Sequence, residues 1–303
     1  MKSAKQHSFL FTLDLPKNYR AHEILSFHAR DPEQLAERIT ETTILKAIIV
    51  NHRPALIDIA LRQHEARCTL QTDDPDTTDA VAQQIIKGIL GLTIAVEPFE
   101  RKMKLDPFLG ALVHRQQGLR IPQAATPFEA LTWAIIGQQI NLRFAIQLRH
   151  TFIKLAGVRH PSGLYCYPDA ALVCRLKIER LTANKFSRAK AETLMRVANL
   201  VLSGALPLDA WRQSDADVDV MQNALLNVKG IGPWTAHYTL MRGFGVADCS
   251  LHGDVAVRKA LTKTRGVDAT ALTIKEAEAI LAAYTPHRSL VAAHLWASLH
   301  MSA

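Results

Sequence analysis

Short runs of aliphatic and β-branched residues separated by turn residues mark the first hundred positions: Phe9 to Leu15, Ile44 to Val50, Ala55 to Leu61 and Arg67 to Thr72. Asn51-His52-Arg53-Pro54 divides the second run from the third, which predicts an antiparallel sheet. Asp73-Asp74-Pro75-Asp76 ends that pattern. From Thr77 to Leu90 the apolar positions Val81, Ile85 and Ile89 follow helical spacing, so this helix should cover one face of the sheet. From about Asp106 onward the periodicity is almost wholly helical. Thr126-Pro127-Phe128-Glu129 sets a capping threonine, a proline and a glutamate in front of an apolar helix. Thr273-Ile274-Lys275-Glu276 repeats the capping-box pattern, and Pro286 precedes a last helix expected from His287 to His300. The fold class expected is mainly α with an α+β amino-terminal domain: residues 1–105 form a sheet with helices, and residues 106–303 are all-α. There is no internal repeat or low-complexity tract.

Composition narrows the function classes. No apolar run approaches the roughly 18 residues of a membrane span, and Met1 to Leu10 lacks the apolar core of a secretory signal, so a cytoplasmic protein is expected. Lysine and arginine total 36 against 28 acids, an excess that suits a polyanion and occurs in many other proteins as well. Cys68, Cys166, Cys174 and Cys249 lie far apart without a C-x-x-C pair, so they read as free thiols. Cys249-x-x-His252 has no second ligand pair, and no catalytic metal is expected.

The stretch richest in chemistry is Leu225-Leu226-Asn227-Val228-Lys229-Gly230-Ile231-Gly232-Pro233-Trp234-Thr235-Ala236. One helix ends at a Gly-x-Gly turn and another begins at proline, a helix-hairpin-helix. Two glycines allow a tight turn with free N–H groups, and the new helix adds its positive dipole end, so a DNA phosphate fits there. The alternative is an ordinary glycine stop and proline start between packed helices. Twenty residues beyond Trp234 comes Leu251-His252-Gly253-Asp254-Val255. Taken alone, Asp254 caps the following helix. Trp234 and Tyr238, four apart, share one helix face, which serves a core or a pocket wall equally well.

Hairpin, helix, loop and Gly-Asp at this separation resemble the helix-hairpin-helix DNA glycosylases, most closely the DNA-3-methyladenine glycosylase II (AlkA-type) branch. The likeness covers essentially the whole chain, including Arg120-Ile121-Pro122, Phe128-Glu129, Ile136-Gly137-Gln138-Gln139, Arg288-Ser289 and Trp296. It implies two helical subdomains with the active site in the cleft between them, and a monomer acting on double-stranded DNA with alkylated bases. Asp254 is then the catalytic carboxylate, stabilising positive charge on the sugar and orienting water. Related enzymes that nick the strand carry a Schiff-base lysine where this chain has Trp234, so the resemblance implies a monofunctional hydrolysis. Trp234, Tyr238, Trp296 and Phe27 match the base pocket, where a cationic base gains cation–π attraction. Gln139 matches the side chain that plugs the gap left by the flipped base, an ordinary polar loop residue being the alternative. Lys229, Gly230, Gly232 and Thr235 match the DNA-gripping hairpin, and Arg288 and Ser289 a helper or phosphate contact near Asp254, with Arg288 as a solvated helix-start charge the other reading. No cofactor is required; a structural monovalent cation on the carbonyls of Leu226, Val228 and Ile231 is the one addition the family implies. Two alternatives stay open: an oxidised-base glycosylase of the same superfamily, and a non-catalytic module that only grips the DNA backbone.

Overall fold

The computed structural model describes residues 7–214, 216–264 and 272–300; the outermost residues of both expected domains lie outside them. Five strands, β1 (His7–Asp14), β2 (Glu37–Ile39), β3 (Thr43–Val50), β4 (Arg53–Leu61) and β5 (Glu65–Thr72), form one antiparallel sheet in the order β1-β5-β4-β3-β2. The four predicted strands are present. β2, three residues long at the sheet edge, is too short to carry a period and went unforeseen. β3 and β4 join through Asn51 and His52, both at positive φ (45° and 64°), the turn that matches the twist of a two-residue hairpin.

Two helices cover one face of the sheet: α1 (Ala21–His28), which the sequence reading missed, and α2 (Asp79–Ile89). Thr78 caps α2, its side chain accepting from the Val81 N–H. Ile44, Ile48, Ile57, Ile59 and Leu70 from the sheet pack with Ile24, Ile86 and Ile89 from these helices. The opposite face meets Leu164 and Cys166 through Ala47 and Ile49.

The remaining helices are α3 (Glu97–Met103), α4 (Gly110–Arg115), α5 (Pro127–Gly137), α6 (Leu142–Ala156), α7 (Ala170–Cys174), α8 (Ile178–Thr182), α9 (Arg188–Leu202), α10 (Leu208–Gln213), α11 (Val218–Leu226), α12 (Pro233–Thr239), α13 (Val255–Thr264), α14 (Ile274–Ala282) and α15 (Arg288–His300). A π-helical turn, Leu240–Phe244, continues α12. α13, α14, α15 and α4 pack together, as do α5, α6, α9, α11 and α12. One apolar core runs through both groups, and it includes Ile94, Val96, Phe99 and Met103.

Thr126 caps α5 as its sequence predicts, accepting from the Glu129 N–H at 3.0 Å. The reciprocal half of the box is absent: Glu129 accepts from Ala125 N–H instead and turns its other oxygen to Lys46 at 2.8 Å. At Thr273 and Glu276 the full box forms. Lys46 lies on the inward face of β3 opposite Ile57, an unexpected place for a charge. It is held by Glu37 on β2 and Glu129 on α5, and Arg149 on α6 binds both acids. Burial pushes the Glu37 carboxyl up, but Arg149 and Lys46 outweigh it and hold the group near 2. This buried network ties the sheet to the helices beneath the site.

Among the described residues no helix is long and apolar enough to cross a membrane, and no cluster of three metal-ligating side chains occurs. The four cysteines are free, three of them buried.

Candidate active site

Asp254 sits immediately before α13, and its two oxygens have distinct partners. Oδ2 accepts the Trp234 indole N–H at 2.9 Å; Oδ1 accepts the Trp296 indole N–H at 3.1 Å and the Val257 backbone N–H at 3.0 Å. The last bond is the helix cap that sequence alone allows. The first two are not needed by any cap. Indoles are donor-only groups, so two of them aimed at one half-buried carboxylate fix its position from two helices that are remote in sequence.

Behind this carboxylate lies a recess of about 580 Å³ including its open mouth, lined by Phe27, Arg30, Trp133, Tyr238 and Arg242 among others. Its lining comes from α1 and the turn after it, from β2, β3, α5 and α6, and from α12 with its π-helical extension. Of the four expected pocket aromatics, Phe27 and Tyr238 line the recess. Trp234 and Trp296 stand between it and Asp254, with Trp234 5.2 Å and Trp296 6.4 Å from the Tyr238 ring. Trp133 Nε1 donates to the Tyr238 hydroxyl at 3.0 Å. Trp133 was not foreseen because an aromatic inside an apolar helix reads as core.

The electrostatics of the recess depart from expectation. An aromatic cage open to a cationic guest was anticipated, yet the protein's own cations already lie on the rings. Arg30 Cζ is 3.7 Å and Arg242 Cζ 4.3 Å from the centre of Phe27, and Arg242 is 5.5 Å from Trp296. Burial pushes the Arg242 guanidinium down to about 10 and lowers Arg30 as well; a guanidinium is the side-chain cation that proteins do not deprotonate. Neither arginine carried a signal in the sequence, since nothing distinguishes them from solvated charges until α1 is docked.

The hairpin lies between α11 and α12. Gly230 has φ +98°, a conformation that suits glycine, and an added Cβ would meet Thr193 Oγ1 of α9 at 2.2 Å. Arg196 donates to the Lys229 carbonyl at 2.8 Å and Gln138 to the Gly230 carbonyl at 3.0 Å. Lys229, Gly230 and Gly232 are exposed. The Thr235 side chain is buried and accepts from Gln138 at 2.8 Å. Val228 O accepts the Ile231 N–H at 3.0 Å and keeps one lone pair, which is compatible with a cation on this turn.

Gln138 thereby joins the hairpin to the loop after α5, a link that no local sequence pattern announces. Next to it Gln139 is exposed with φ +54°, while Lys190 donates to Ile136 O at 2.7 Å at the end of α5. Arg288 and Ser289 both have partners within the protein. Arg288 grips Asp248 through Nε at 2.7 Å and NH2 at 2.8 Å, and Ser289, fully buried, donates to Val246 O and accepts from Cys249 N–H. Both residues fasten α15 to the loop that leads to Asp254.

No family model matches the chain. The sequence is 27% identical over 240 residues to the DNA-3-methyladenine glycosylase of Bacillus subtilis, which covers 77% of this chain and 78% of that protein. Its fold is similar to the 3-methyladenine DNA-glycosylase from Archaeoglobus fulgidus, with a TM-score of 0.80 at 18% identity over 94% of this chain and 97% of the other. The chain is thus similar in sequence to DNA-3-methyladenine glycosylases and has the fold of the helix-hairpin-helix DNA glycosylases. A Clostridium acetobutylicum 8-oxoguanine glycosylase/lyase bound to double-stranded DNA shares the glycosylase fold, with a TM-score of 0.73 at 13% identity over 96% of this chain and 98% of the other. Within that fold the Trp234 indole N–H is engaged by the Asp254 carboxylate.

Proposed function

We propose that the chain is a monofunctional base-excision repair glycosylase that flips an alkylated base from duplex DNA into the recess and hydrolyses its N-glycosidic bond. The observation that carries this reading is Asp254, fixed by two indole N–H groups beside an aromatic recess and sequence-linked to a DNA-gripping hairpin. The C1′–N bond breaks with its electron pair leaving on the base. The sugar becomes a cation, and the nearby carboxylate stabilises it without forming a bond. Water then adds to C1′ and its proton passes to Asp254 or to solvent, leaving an abasic site.

The exposed hairpin turn receives a DNA phosphate at Gly230, Gly232 and the start of α12, with Lys229 adding charge. The Leu226, Val228 and Ile231 carbonyls would hold a monovalent cation that reinforces that grip. Gln139, presented on a left-handed backbone, fills the space of the extruded base. A monomer suffices, because one chain supplies every part.

An oxidised-base substrate is the second reading, favoured by the fold shared with the 8-oxoguanine glycosylase/lyase. Incubating the protein with duplexes carrying methylated purines or 8-oxoguanine and identifying the released bases separates the two. Release of methylated bases with abasic product supports the proposal. Release of 8-oxoguanine alone, or DNA binding without any release, contradicts it.

A further inference from the structure

The charge inside the recess bears on which bases enter it. Its lining holds Arg30, Arg242, Lys46 and Arg149 against Asp31, Glu37 and Glu129, with His28 alongside. Lys46 and Arg149 are spent on the three acids, and His150 pairs with Asp31 as well. Burial pushes the His28 imidazole down to about 4, so it is neutral at working pH. Arg30 and Arg242 have no carboxylate partner among these groups. Arg30 Nε donates to Phe27 O at 2.7 Å, Arg242 NH1 donates to Pro122 O at 2.7 Å, and both guanidiniums interact with the Tyr238 hydroxyl. Arg242 Nε is buried without a hydrogen-bond partner. A buried donor left unpaired is costly, and a guest that offers an acceptor relieves that cost.

We propose that Arg30 and Arg242 set the charge preference of the pocket, admitting neutral damaged bases with carbonyl or ring-nitrogen acceptors and disfavouring bases that carry a formal positive charge. The inference rests on the glycosylase reading and names its substrate class. A cationic base would become the third positive charge around Phe27, whose ring is already engaged by two. A neutral base adds no charge and places its acceptor edge beside the Arg242 guanidinium, whose Nε lacks a partner. Cationic lesions remain intrinsically labile, so the effect is read as a ratio between enzymes and not as an absolute rate.

The test is single-turnover release from matched duplexes, one carrying 7-methylguanine, a cation, and one carrying hypoxanthine, a neutral base with acceptors. For Arg242→Met and for Arg30→Gln, the ratio of 7-methylguanine to hypoxanthine release should rise about tenfold over wild type, the scale of one removed charge at close range. Arg242→Lys keeps the charge and should stay near the wild-type ratio for the cation while slowing hypoxanthine by less than the Met variant. Because Arg242 also tethers Pro122, Arg30→Gln serves as the independent variant if Arg242→Met does not fold. An unchanged or lowered ratio in the charge-removing variants overturns the proposal. Release of neither base by the wild-type protein overturns the alkylated-base reading on which the inference rests.

Discussion

Replacing Gly230 by alanine should destabilise the protein through two separable costs. At φ +98° an L-residue is strained, by about 1–2 kcal/mol in the left-handed region. The new Cβ would also lie 2.2 Å from Thr193 Oγ1 and 2.9 Å from its Cγ2. Thr193 cannot simply swing aside, because it is 5% exposed and donates to Ala189 O at 2.8 Å. Overpacking of this kind costs about 1–3 kcal/mol. The sum, roughly 2–5 kcal/mol, corresponds to a fall in Tm of about 3–8 °C for a chain of this size. Thermal unfolding of Gly230→Ala, Thr193→Ala and the double variant resolves the parts. In the double variant the nearest contact relaxes to the Thr193 Cβ position at 3.1 Å, so the overpacking share should return while the backbone share persists. If Gly230→Ala melts with the wild type, or if the two substitutions are simply additive, the packing of the hairpin against α9 is not as described.

At Gly232 the outcome should be the opposite: an added Cβ meets nothing within 4 Å, so Gly232→Ala keeps its stability within about 0.5 kcal/mol while DNA affinity, measured by fluorescence anisotropy, drops by about 1.5–3 kcal/mol. Trp296→Phe keeps an aromatic ring but deletes the donor to Asp254 Oδ1; single-turnover base release should slow about tenfold with DNA affinity unchanged, and an undiminished rate would show that the indole bond does not matter. Stability should fall as pH drops from about 6.5 to about 4, since His28 is held neutral by burial at about 4 in the native state and takes up a proton near about 6.5 when unfolded. Urea unfolding across that range should show the slope in wild type and a shallower one in His28→Gln, and equal slopes would place the titration elsewhere.

Most of the chain's architecture was legible because it follows from periodicity. The sheet strands alternate, and Thr126 and Thr273 announce their helices. What escaped was whatever depends on tertiary pairing. β2 is too short to show alternation, and Lys46 appears as an exception in a strand until Glu37, Glu129 and Arg149 are brought around it. In the site, Asp254 and the hairpin could be read because a tight turn, a helix start and a carboxylate each have local signatures. Arg30, Trp133 and Arg242 have none, because their meaning arises only when α1, α5 and α12 converge. Arg288 and Ser289 show the converse: a motif position near the carboxylate turned out to brace a loop, since Asp248 and the Val246 carbonyl satisfy both side chains.

The central claim is that Asp254 carries the chemistry and does more than cap α13. Asp254→Asn retains an oxygen able to accept the Val257 N–H and removes the negative charge. Single-turnover release of methylated purines from duplex DNA by wild type and Asp254→Asn, with DNA affinity and Tm measured on the same preparations, tests this directly. Folding and DNA binding retained, with base release lost by about a hundredfold or more, is the predicted result. Base release by the asparagine variant at the wild-type rate would contradict it.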